Sequence, residues 1–307
     1  MSSHITIPEL EERGLSYKEF FKVLLTLIKY ELKYLGELHN STYIDDIDSY
    51  ILCNARRIHK TANTLCTVIE KERDFTTANA ILRMLADSLA SLYLIYNEDG
   101  DLLELRHYLY IIDGTKSKLC RFPKTIIYND KVKREEYDSL CKQIMSSKQN
   151  YEDAFTHCVD KIHSCQTYQG HAALIDKFIE YGNWKFKNLS SFNMNKNKYS
   201  WSEMYKNLTP FTTKDNFSFL SEYIHGLSTC NMFVEIDNTV FEPIYGIATA
   251  LLGRLLNFIH TKFNKEQCII HSHLINALFD EDMPKGYAEQ IINQFCNTHT
   301  SDFYQPI

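Results

Sequence analysis

The chain has 307 residues, 44% of them hydrophobic and 23% charged, which is enough apolar side chain for one large helical domain or two smaller ones. A formal net charge of −6 excludes a surface that coats nucleic acid through a broad excess of Lys and Arg, although a local basic patch is compatible with it. Ten Gly and six Pro supply few breakers, and the many Leu, Ile, Lys and Glu residues favour helices, so the composition predicts an all-α, multi-helix bundle.

Nine cysteines at 53, 66, 120, 141, 158, 165, 230, 268 and 296 contain no Cys-x-x-Cys pair, which argues against a disulfide framework or zinc ribbon and for reduced thiols in the cytoplasm. The first residues, MSSHITIPELEERG, lack the basic and apolar regions of a signal peptide, and the same cytoplasmic placement is expected from them.

In chain order, Ser16-Tyr17-Lys18-Glu19 fits a capping box, and a helix is expected from there to about His39. Its stripe of Phe20, Leu24, Leu27, Ile28, Leu35 and Leu38 should face the core. Lys22, Lys29, Glu31 and Lys33 make the segment amphipathic rather than membrane-spanning. Unbroken helical spacing predicts further helices over about 46–71 and 76–96, the latter with the stripe Ile81, Leu85, Leu89, Leu92 and Tyr96 and with Ala78, Ala86 and Ala90 allowing close approach. Helices are also expected over about 101–119, slackened at Gly114, and over 133–147 and 151–181. Residues 182–200 are rich in Asn, Ser and Lys without a sustained period and read as an irregular loop or insertion between helical parts 1–181 and 201–307, which together make one compact helical domain. Ser200-Trp201-Ser202-Glu203 restarts a helix, and further helices are expected over 216–228, 241–262, 266–279 and 285–298.

Two segments stand out chemically. Arg83 and Asp87 are four apart on the core-like helix 76–96, so they share a face and can pair; a buried Arg needs an anion to match it. Ser221 and His225 are likewise four apart, followed by Gly226, and place a hydroxyl and an imidazole where they can serve proton transfer or bind an anion. The bland reading of both is a polar tie at the edge of a helical core.

Taken together, Ile81-Leu82-Arg83-x-x-x-Asp87, a run of helices, and then Ser221-x-x-x-His225-Gly226 resembles a group of uncharacterised bacterial helical proteins whose core is similar to the HEPN superfamily (higher eukaryotes and prokaryotes nucleotide-binding). The resemblance spans about residues 45 to 260, with Asp87 where that group more often carries Glu. It implies a HEPN-like core with additional helices, an RNA- or nucleotide-acting role in stress response or mobile-element defence, and a homodimer. Many HEPN proteins are metal-independent ribonucleases with Arg, four to six residues, then His; Arg254 and His260 meet that spacing and form an alternative pair to Arg83, Asp87, Ser221 and His225. On a straight helix Arg254 and His260 lie about 120° apart, so a shared site requires a cleft or a partner chain. The rival expectation is a non-catalytic helical interaction or scaffold protein whose polar residues fix helix packing.

No cofactor or metal is expected. His157, Cys158, His163 and Cys165 align poorly for ligation, and His271 and His273 point to nearly opposite helix faces. The basic run Lys116, Lys118, Arg121, Lys124, Lys131, Lys133 and Arg134, interleaved with Phe122 and Tyr128, reads as a solvated loop more readily than as an RNA surface, because Glu135 and Glu136 blunt its field.

Overall fold

The computed structural model describes residues 16–98, 100–128, 133–206, 208, 220, 223 and 237–264. Among these residues every regular element is helical: α1 (Tyr17–Leu38), α2 (Ile47–Thr67), α3 (Phe75–Tyr96), α4 (Asp101–Leu119), α5 (Arg134–Ser164), α6 (Gln166–Tyr181), α7 (Trp201–Tyr205) and α8 (Glu242–Lys262). A π-helical turn, Val68–Glu72, prolongs α2, and a 3-10 turn, Asn238–Phe241, leads into α8. The all-α expectation therefore holds. The helices expected over 266–279 and 285–298 lie outside the described residues; within 216–228 only Leu220 and Tyr223 are described, and both are helical.

The chain divides into two compact units, 1–93 with 201–307, and 94–200. In the first, the capping box that opens α1 is present: the Ser16 hydroxyl accepts from Glu19 N at 3.3 Å and the Glu19 carboxylate accepts from Ser16 N at 2.9 Å. The stripe it sets in register, Phe20, Leu24, Leu27, Ile28 and Leu35, is buried. Asp46 caps α2 by accepting from Ser49 N at 3.0 Å. On α3, Ile81, Leu85, Leu89 and Leu92 are buried together with Ala78, Ala86 and Ala90, whose small side chains leave room for neighbours. Helix α8 lies against α1 and α2. Its Tyr245 ring meets Phe21 edge-on at 5.6 Å, and its Phe258 ring meets Tyr93 at 5.2 Å. By length and composition alone, α3 and the stretch Thr239–Lys262 are each apolar enough to cross a bilayer. In this fold Leu82, Leu85 and Leu89 of the one, and Leu251, Leu252 and Leu255 of the other, are core residues.

A polar tie joins α2 to α1: His59 Nε2–H donates to the Leu25 carbonyl at 2.9 Å. Burial, more than the nearby Lys29 charge, pushes the His59 imidazole below its ordinary value of 6.5. The unfolded chain binds that proton more readily than the folded one, so stability is fully present above the ordinary value and is lost as pH falls below it. The urea midpoint should therefore drop between neutral pH and about pH 5, and His59→Gln, which keeps a donor, should shrink that drop; an unchanged pH slope in the variant would rule out His59 as the titrating group.

The second unit is built on α4, α5, α6 and the segment that follows them. Gly114 does not interrupt α4: it sits on an exposed side of a continuous helix, where the cost of one glycine, about 1 kcal/mol, is offset by burial of Leu109, Ile111 and Ile112. The break expected near 147–151 is also absent. Ser146 to Asn150 contains no Gly or Pro, and Lys148–Glu152 at 3.3 Å with Gln149–Asp153 at 2.8 Å lace the helix across it. The chain turns instead at extended Cys165, and α6 kinks at His171 just after Gly170.

Residues 182–200 form no helix, yet they are not a slack tether. Asn183, Trp184, Phe186 and Asn197 are buried. The Asn197 amide organises the loop, accepting from Lys187 N at 2.9 Å and Asn188 N at 3.0 Å and donating to the Asn188 and Ser191 carbonyls at 2.8 Å. Phe186 stacks on Phe178 of α6 at 4.8 Å. Buried Arg106 of α4, 3% exposed, donates to the Leu94 and Phe186 carbonyls and pairs with Glu98 at 2.6 Å. The loop starts at Gly182, which ends α6 at φ 60°, and a Cβ there would approach Asp113 Oδ1 to 2.7 Å. Gly182→Ala should consequently lower stability by about 1–2 kcal/mol, read as a shifted urea midpoint; a variant as stable as wild type would contradict the left-handed cap.

Candidate functional site

Arg83 is 8% exposed, embedded between Leu82 and Leu85 on the apolar face of α3. Its Nε–H donates to Asp87 Oδ1 at 3.0 Å, one helical turn on. The Tyr205 hydroxyl donates to the same carboxylate oxygen, and the Tyr205 ring covers the Arg83 guanidinium at 4.7 Å. Tyr205 comes from α7, the single turn that follows the 182–200 loop, and Trp201 stacks on it from four residues earlier. Burial first, then the hydrogen bond to Asp87, raises the Tyr205 phenol far above its ordinary value, so it stays a neutral donor. In this cluster the Asp87 carboxylate matches the Arg83 cation and the Tyr205 ring roofs it. Asp87 is its accessible member, with a side chain 31% exposed.

Ser221 and His225 lie outside the described residues. Leu220 and Tyr223, which bracket Ser221, are buried. Tyr223 meets Phe75 edge-on at 5.7 Å, at the start of the helix that carries Arg83.

Arg254 and His260 lie on α8 and have separate surroundings. The Arg254 carbonyl accepts from the Tyr93 hydroxyl at 2.8 Å, and Arg254 is half-buried. His260 Nε2 lies 3.0 Å from both carboxylate oxygens of Glu31 on α1. The Glu31 side chain has no solvent exposure, and that of His260 is 12% exposed. The pair is a hydrogen-bonded contact between the two helices, closed off from solvent on the Glu31 side.

Tyr205 and Glu31 were not legible as partners. Tyr205 carries no pattern tying it to Asp87. Glu31 did carry a signal: with Leu24, Ile28 and Leu35 it keeps the spacing of the buried stripe, which puts a carboxylate in the core rather than among the solvent-facing Lys22, Lys29 and Lys33.

Among the described residues, no three His, Cys, Asp or Glu side chains come together as metal ligands. Cys158 is a buried core residue, and His163 faces Tyr168 at 4.5 Å and Asp176 at 3.4 Å. His271 and His273 lie outside the described residues. The basic run is divided: Lys116 reaches the carbonyls of Ile179 and Glu180 and so closes the end of α6, and Arg134 pairs with Asp138 at 3.4 Å beneath the rings of Tyr128 and Tyr137.

The Glu31–His260 contact should show a double-mutant coupling of about 1–3 kcal/mol when Glu31→Gln and His260→Gln are combined and unfolding is followed in urea. Additive effects would mean that the two side chains do not depend on each other.

No family model matches the chain, and no curated protein and no solved structure matches it.

Proposed function

We propose that this chain is a non-catalytic helical protein that works by binding another macromolecule, and that Arg83, Asp87, Glu31 and His260 serve to join its helices. One observation carries this reading: Arg83 and His260, two candidate catalytic side chains whose partners are described, are each held by a carboxylate of the chain itself. A phosphate ligand at His260 would have to displace Glu31, which has no solvent exposure, and leave that carboxylate buried and unmatched, and one at Arg83 would have to compete with the charge-assisted hydrogen bond to Asp87. A cytoplasmic location fits the reduced-thiol composition and belongs to the same proposal.

A second reading, a HEPN-like protein acting on RNA or nucleotides in stress response or mobile-element defence, is supported by the contact of Tyr223, a neighbour in sequence of Ser221 and His225, with Phe75 of the helix that carries Arg83. In it Arg83 and His225 bind phosphate or transfer protons, Asp87 and Ser221 orient them, and a homodimer completes the site.

The two readings separate in one assay. Purified protein incubated with mixed RNAs over a range of pH and salt should leave them intact. Cleavage that disappears in His225→Ala while surviving in His260→Ala would replace the first reading with the second.

A further inference from the structure

The longest helix of the second unit has no buried residue in its first half. From Arg134 to Asn150 every side chain of α5 is exposed or half-exposed, and only Cys158 and Ile162 of the helix enter the core. Leu140, Ile144, Ser147 and Tyr151 recur at four, three and four residues and so form one face, about 16 Å long. Leu140 is 52% exposed. Beside this face stand Lys118, Arg121 and Phe122 at the end of α4, and between the two walls runs an open groove of about 400 Å³. The rings of Phe122 and Tyr151 meet at 5.9 Å across it. Among the described residues no acidic side chain lines the groove, and neither Lys118 nor Arg121 has an ion-pair partner.

We propose that this groove binds an acidic amphipathic helix of a partner protein. The proposal rests on the interaction-protein reading above and gives it a surface and a partner chemistry. The straight apolar face of α5 offers ridges at the three-and-four spacing that a second helix fills. Lys118 and Arg121 at its edge are answered by Asp or Glu beside the apolar stripe of the ligand. RNA fits less well. A nucleic-acid strand needs a track of cations and open aromatic faces, whereas among the described residues only Lys118 and Arg121 of the basic run line the groove, and its two rings pack against each other.

The experiment selects binders from a displayed library of helix-forming peptides of about 14 residues, randomised in apolar spacing and charge, against the full chain. The enriched peptides, labelled and titrated by fluorescence anisotropy, should carry apolar residues at the three-and-four spacing with Asp or Glu at one flank. Lys118→Glu with Arg121→Glu, and separately Leu140→Ser with Ile144→Ser, should each weaken binding by about tenfold or more with unchanged helical circular dichroism. Added salt should weaken wild-type binding more than that of the cation variant. Enrichment of basic peptides, binding indifferent to both variants, or displacement of the peptide by oligouridylate would overturn the proposal. So would a wild-type dimer in sedimentation that Leu140→Ser with Ile144→Ser dissociates, since a second copy would then be the occupant. Loss of this groove with RNA left intact removes the surface alone, whereas RNA cleavage removes the reading on which it stands.

Discussion

A carboxylate without solvent exposure has to be matched, and Glu31 is matched by His260 from the far end of the chain's described part. Much of the first unit follows from that requirement. The faces of α1 and α8 are otherwise Leu, Ile and aromatic side chains, which pack acceptably in more than one register. A buried dyad with both carboxylate oxygens on one imidazole nitrogen accepts only one. Fixing α8 against α1 also fixes which rings meet, and Phe21 with Tyr245 near one end of the contact and His39 with Phe263 near the other are consistent with a single alignment along its length. Between α2 and α1, His59 performs a smaller version of the same task on a backbone carbonyl.

The same device recurs with other chemistry. Arg83, Asp87 and Tyr205 tie α7 to α3, and because α7 is one turn long it has little apolar surface with which to hold itself. In the second unit Arg106 reads two carbonyls and a carboxylate at once, one of those carbonyls belonging to the irregular 182–200 segment. A helix buries its own backbone polar groups, but a loop cannot, so a folded loop needs side chains to do it. Arg106 from outside and Asn197 from inside supply those bonds, which explains how a stretch without periodicity comes to be a packed part of the fold.

Element type was legible because it depends on local periodicity. The stripes of α1 and α3 and the capping box at Ser16 follow from residues within one or two turns of each other. Boundaries set by weak local preferences were less legible: Gly114 and the polar run before Tyr151 read as breaks, yet long-range burial on α4 and lacing on α5 carry the helix through both. Partnerships across the chain were the least legible. Arg83 announces Asp87 by spacing, but nothing local announces Tyr205, 118 residues away from Asp87. Arg254 and His260 show the opposite failure. Their spacing is one that nine Arg and twelve His generate about once by chance, and His260 answers Glu31 instead. A motif defined by two residues on one helix says nothing of what a third helix presents to them.

This sorting of charges bears on function. A cation in a helical protein either has an internal anion, in which case its geometry is explained by folding, or lacks one and faces solvent or a ligand. Arg83 and Arg106 fall in the first class, and each sits where the packing of two elements needs it. Lys118 and Arg121 fall in the second, at the edge of the one long helix whose first half contributes nothing to the core. A helix of 31 residues that buries side chains only in its far part exposes apolar side chains at a spacing that its own fold does not require. Stability of the fold explains the enclosed pairs completely and the exposed face not at all. The α4–α5 groove is therefore the surface on which the binding proposal rests, without any appeal to the residues that first suggested chemistry.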